Sequence, residues 1–170
     1  MSSPQYYVVD TNTIIDLWYG DILEKVFQLP CTFIIPDFIA HELRNPPFQF
    51  LSTMGLFVET LDSEMIPEIT QIMERFEKPS YEDISALVLA RSRRTILITG
   101  DEDLRHAAME YGVDSHGTCW LIDYLANQSI ITYKEAISAY VRIRNNRRNP
   151  PFDECKSLLS QWRQRQKLLE

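Results

Sequence analysis

Short apolar runs rich in β-branched and aromatic residues recur along the chain, each followed by a stretch with helical spacing. That alternation restricts the fold more than any other feature. The runs are YYVVD, ending at Asp10, then CTFIIP, closed by Pro36, LFVETL and TILIT, with VDSHG as a short edge-strand candidate. TNTIIDLWYGDILEKVF follows the first run; its Thr-Asn start suits a helix cap, and Ile14, Leu17 and Trp18 fall at helical intervals. DFIAHEL predicts a short helix stopped before NPP. SEMIPEITQIMERF is another, and YEDISALVLARSRR is strongly patterned, with Ile84, Leu87, Val88 and Arg91 three and four residues apart. EDLRHAAMEYG stops at Gly112, and TCWLIDYLANQ and TYKEAISAYVRIR are helical in pattern. After NNRRNPP, the last amphipathic stretch sets Phe152, Cys155, Leu159 and Trp162 on one side. Strands alternating with helices predict an α/β fold around a largely parallel sheet.

A length of 170 residues fits one domain with a small appendage, and 45% hydrophobic residues supply a core. No apolar run approaches the ~20 residues of a membrane span, and MSSPQYYVVD lacks the basic-then-apolar pattern of a signal peptide. Cys31, Cys119 and Cys155 are odd in number and far apart, which predicts no disulfide framework and a cytoplasmic location. Neither GxGxxG nor GxxxxGK[ST] occurs, so a Gly-rich nucleotide cradle is not expected. The net charge of −7 is unevenly spread. Residues 141–170 hold eight bases and three acids, a net of +5, leaving −12 on the first 140 residues. A basic tail on an acidic body points to an anionic partner or to a solvated helix face.

Binding sites in open parallel sheets form at the carboxyl ends of the strands. Asp10 ends the first strand, and Asp101 and Asp103 follow the fourth. Asp83 opens the helix before the fourth strand, and Glu42 lies in the helix after the second. Taken singly, each has an ordinary use: Asp caps helices, and Glu faces solvent. Gathered together, such carboxylates cannot all stay ionised without a cation, because like charges raise one another's pKa.

In order and context the acids resemble the motifs of PIN-domain ribonucleases: VVDTN with Asp10, IAHEL with Glu42, YEDISALVLA with Asp83, and LITGDEDL with Asp101 and Asp103. GTCWLIDYLANQSI is similar to the region that follows in a prokaryotic PIN subgroup. The resemblance implies a three-layer α/β/α sandwich with a mainly parallel central sheet over residues 1–131. Residues 132–170 are then a helical C-terminal extension, packed on that body or on a partner subunit. It implies a metal-dependent endoribonuclease in which Asp10, Asp83 and Asp101 hold Mg²⁺ or Mn²⁺ and Glu42 orients the attacking water or a second ion. Asp103, Thr11, Asn12 and Thr99 are auxiliary, with helix capping and strand-end hydrogen bonding as their plainer uses. All-oxygen ligation without His or Cys favours those hard cations.

Chains of this size are also similar to VapC-type toxins, which implies a homodimer, single-stranded or structured RNA as substrate, and a small antitoxin protein as partner. The alternative is a non-catalytic PIN-fold module that binds RNA or protein. A phosphohydrolase would need Asp-x-Asp after the first strand, where Asp10-Thr11-Asn12 stands, and a receiver domain needs an earlier Asp pair. His41, His106 and His116 lack zinc spacing. Trp18, Trp120 and Trp162 suit packing; Arg91, Arg93 and Arg94 suit a helix C-terminus, and Glu102 faces solvent.

Overall fold

The computed structural model of the chain describes residues 5–148 and 150–170. Among them five strands, β1 (Tyr6–Val9), β2 (Thr32–Pro36), β3 (Phe57–Glu59), β4 (Ile96–Ile98) and β5 (Ser115–His116), form one sheet. The order is β3-β2-β1-β4-β5 and every pair is parallel. Parallel neighbours need a crossover, and helices supply it: α1 (Thr11–Tyr19), α2 (Leu23–Val26), α3 (Asp37–Glu42), α4 (Phe48–Met54), α5 (Ile66–Arg75), α6 (Tyr81–Arg93) and α7 (Glu102–Glu110). α8 (Thr118–Asn127), α9 (Tyr133–Asn145) and α10 (Phe152–Leu169) follow the last strand. The result is the α/β/α sandwich expected from the sequence.

Side chains alternate across each strand, so both faces of this sheet must be covered. The Tyr7 ring sits 6.0 Å from Phe33 and 5.7 Å from Trp120, which places α8 over that face. α1, α2, α9 and α10 pack with α8, whereas α5 and α7 flank α6, which lies along β1, β2 and β4. Every residue of α6 from Ile84 to Ala90 is buried. A helix apolar all round suits that central position, and Ser85 is accommodated by donating its hydroxyl to the Tyr81 carbonyl at 2.7 Å.

Two elements differ from the sequence pattern. The stretch predicted as one helix over residues 11–27 breaks at Gly20 and Asp21, the latter left-handed at φ 59°, and restarts as α2. α4 forms where the pattern predicts no element; its seven residues are too few for a period to show, and Gly55 ends it at φ 111°.

The cysteine reading is overturned. Cys119 in α8 and Cys155 in α10 form a disulfide, with Cα atoms 5.3 Å apart, and Cys31 alone is free among the described residues. Spacing in the chain carries no trace of this pair, because only the docking of α10 on α8 brings the two thiols together. The cysteine argument for a reducing compartment therefore falls. Among the described residues no helix is long and apolar enough to cross a membrane.

Side-chain contacts tie α10 down further. Trp162 is fully buried and its indole N–H donates to Asp123 Oδ1 at 2.8 Å. Glu154 accepts from the backbone N–H of Gly117 (3.2 Å) and Trp120 (3.1 Å), so it caps α8, whose own N-cap glycine has no side chain to do so. Its other oxygen meets Arg105 of α7 at 3.2 Å. The side chain of Phe152, expected on the same apolar side, lies outside the described residues. Truncating Trp162 to Ala should lower unfolding free energy by about 3–5 kcal/mol in urea titrations. A loss below about 1 kcal/mol would show that α10 is not part of the core.

Candidate active site

The strand order reverses direction between β1 and β4, so the crossovers diverge there and leave a crevice at the strands' carboxyl ends. Both motif strands end in that crevice. The Asp10 backbone N–H extends the ladder to the Ile98 carbonyl at 3.0 Å. Asp10 is the N-cap of α1, accepting from the Thr13 N–H at 2.7 Å, and is only 2% exposed. Asp101 is the N-cap of α7, accepting from the Leu104 N–H at 2.8 Å, and is half-buried. Thr99 stands between them. Its hydroxyl donates to the second oxygen of Asp10 and accepts from the Asp101 backbone N–H at 3.1 Å.

Asp83 enters from α6 on the neighbouring edge. It forms a capping box with Ser80: its carboxylate accepts from the Ser80 N–H at 2.9 Å, and the Ser80 hydroxyl accepts from the Asp83 N–H at 3.1 Å. Electrostatically it couples to both Asp10 and Glu42. Burial pushes the Asp10 carboxyl up from 3.8 to about 6; hydrogen bonds from Thr99 and Thr13 pull against this, and the charge on Asp83 adds to it. Glu42, at the last position of α3, is exposed as a residue, yet its carboxyl is also raised. Partial desolvation is the first cause, followed by the charge and hydrogen bond of Glu82 and the charge of Asp83. Asp10, Asp83, Glu42 and Glu82 thus form a chain of mutually repelling acids, with Asp101 joined to Asp10 through Thr99.

Asp103 stands apart in a surface ion pair with Lys78 at 3.0 Å. Asn12 accepts from Arg148 through its side-chain oxygen (3.1 Å) and its carbonyl (3.2 Å). Thr11 and Glu42 line a cleft of about 470 Å³ whose other walls include Tyr19, Arg44 and Arg147. His41 is exposed, His106 pairs with Glu110 at 3.1 Å, and His116 stacks on Trp120 at 4.4 Å.

The acids offer only carboxylate oxygens, the donor chemistry of a hard divalent cation, and their repulsion is what such an ion relieves. The spacing is looser than the chemistry: among the described residues no three His, Cys, Asp or Glu side chains stand together as a ligand group.

Two residues escape the motif reading. Glu82 is the acid that touches Glu42; its only signal in the sequence is its place beside Asp83 in the first turn of α6. Asp16 is 5% exposed and holds Arg148 at 2.6 Å, while the Thr118 hydroxyl donates to its other oxygen at 2.9 Å. An acid flanked by Ile14, Ile15 and Leu17 was the clue to a buried pair.

The fold and the placement of acids at its switch point define a PIN-like α/β chain. A PIN-domain family model (DUF3368) matches residues 6–162, and the chain belongs to that family. Among solved structures it is similar to PAE2754 from Pyrobaculum aerophilum, at 13% identity and a TM-score of 0.53 over 74% of this chain and 99% of that one. It is also similar to the PilT N-terminus domain protein SSO1118 from Sulfolobus solfataricus P2, at 17% identity and a TM-score of 0.46 over 71% and 93%. No curated protein matches the chain significantly.

The buried Asp10 yields a pH dependence. The folded state holds this proton more tightly than the unfolded chain, so Asp10 adds no penalty below about pH 4 and a growing one as pH rises through about 6. At pH 8 without divalent cations, Asp10→Asn should be more stable than the parent by up to about 3 kcal/mol, with the gap closing below pH 4. Thermal unfolding across pH reads this directly; a variant that is less stable at pH 8 would contradict it.

Proposed function

We propose that the chain is a metal-dependent endoribonuclease that hydrolyses RNA phosphodiester bonds. The observation that carries this reading is the Thr99 hydroxyl, which ties the carboxylate of Asp10 to the start of the Asp101 motif at the one crevice of the sheet. Asp10, Asp83 and Asp101 would hold Mg²⁺ or Mn²⁺, which supplies Lewis-acid polarisation of the phosphodiester. The residues do the rest. Thr99 and Thr13 fix the rotamer of Asp10, so its oxygens are oriented before any ligand arrives. Glu42, its carboxyl raised by desolvation and by Glu82 and Asp83, is the acid placed to take the proton of an attacking water. The Asp101 side chain is held in place by capping α7. Asp103 belongs to the Lys78 pair and not to the reacting group. On the sequence resemblance alone, the role is that of a VapC-type toxin, homodimeric and restrained by a small antitoxin protein.

A second reading, the non-catalytic module that binds RNA or protein, is favoured by one observation: the carboxylates do not close a three-ligand group. Calorimetry with Mn²⁺ separates the two. Binding that disappears in Asp10→Asn supports the nuclease, and no binding by the parent supports the module.

The direct test incubates the purified chain with end-labelled single-stranded RNA in Mg²⁺ or Mn²⁺. Cleavage should stop in EDTA and fall by about 100-fold or more in Asp10→Asn and Asp101→Asn, while Asp103→Asn cleaves like the parent. Cleavage that survives both Asp10→Asn and Asp101→Asn rules out this site.

A further inference from the structure

The cleft beside Glu42 has a composition that the acid cluster does not explain. Thr11 and Glu42 belong to the catalytic edge, but the same cleft is also lined by Arg44, from just past α3, by Arg147, from just past α9, and by Tyr19. The neighbouring Arg148 is committed to structure: it holds the buried Asp16 at 2.6 Å and both oxygens of Asn12. Arg44 and Arg147 are exposed, and neither makes an ion pair among the described residues. Tyr19 is 43% exposed.

The conformation of Arg147 adds to this. It follows the end of α9 at φ 58°, donating its N–H to the Arg144 carbonyl at 3.0 Å. Glycine or asparagine normally takes that left-handed position, and an arginine there carries a backbone penalty. Holding an unpaired cation in a costly conformation, beside a neighbour locked by a buried carboxylate, points to a use for its charge.

Electrostatics supplies the need. A body carrying −12 over its first 140 residues, with repelling carboxylates at the crevice, pushes phosphates away. A strand can be held there only if cations beside the acids bind the flanking phosphates. We propose that Arg44 and Arg147 grip the phosphates of an RNA strand lying in this cleft, next to the scissile bond, and that Tyr19 offers its ring face to a base. Arg148 does not bind the strand; it pins the segment that carries Arg147. Thus two adjacent arginines in NNRRNPP have different tasks. The inference rests on the ribonuclease reading for the identity of the strand.

The experiment is fluorescence anisotropy of a labelled single-stranded oligoribonucleotide with the full chain in EDTA, titrated with salt. Cleavage does not enter the readout. Arg44→Ala and Arg147→Asn, the latter a residue that tolerates a left-handed backbone, should each weaken binding by about tenfold. Each should also lower the slope of log affinity against log salt by about 0.7. Tyr19→Ala should weaken binding about fivefold or more with the slope unchanged. Arg163→Ala, on the far part of α10, should bind as the parent does. Arg148→Ala should lower Tm, while Arg147→Asn leaves it in place. Parent-like affinity and slope in both Arg44→Ala and Arg147→Asn would overturn the assignment, as would an equal loss in Arg163→Ala or no binding by the parent. If these arginines govern binding but no metal-dependent cleavage occurs, the phosphate grip stands, and its place beside a scissile bond falls with the ribonuclease reading.

Discussion

The Thr99 hydroxyl is the contact on which the crevice depends. It donates to a carboxylate that is almost wholly buried and accepts from the backbone that opens the next acidic motif. Burying Asp10 is unfavourable, and the opposition is visible in its elevated pKa. Two things keep it in place. The parallel register of β1 and β4 delivers Asp10 and Thr99 side by side at the ends of neighbouring strands. Complete hydrogen bonding does the rest, since among the described residues no buried side-chain polar atom lacks a partner. The fold tolerates an uncomfortable charge here because the same backbone arrangement that creates it also satisfies it.

How far the sequence reveals this depends on range. Asp10 and Asp101 were legible because strand ends and helix caps are local, and their apolar runs announce them. The strongly patterned α6 was legible for the same reason, although its burial on every side is a tertiary fact. Features set by distant packing were not legible. Glu82 acquires meaning only where α3 and α6 bring it against Glu42. The Cys119–Cys155 link spans 36 residues and exists because α10 docks on α8. Asp103, two positions after a motif acid, meets Lys78 from 25 residues away, a pairing that no local pattern announces.

The C-terminal helices show how a chain of this kind extends its crevice without new strands. α9 ends in a segment whose Arg148 reaches back to α1, and Pro151 then lies against Gly100 and Gly117, where a Cβ would come within 3.2 Å and 2.9 Å of its ring. Those two glycines follow β4 and β5 at their carboxyl ends. The absence of a side chain at each is therefore a condition for the C-terminal segment to approach. Charge follows the same plan, with basic residues delivered to the rim of an acidic crevice by the part of the chain that carries the positive excess.

The pairing of β1 with β4 has a consequence for how the molecule comes into being. Tyr7 finds Ile96 only after nearly ninety residues have been made, and Thr99 reaches Asp10 across the same interval. A nascent chain that has emerged only through β3 holds Asp10 and Glu42 but has no partner strand to bring them to Asp101. The crevice between β1 and β4 is therefore completed only once β4 has been made, late in synthesis.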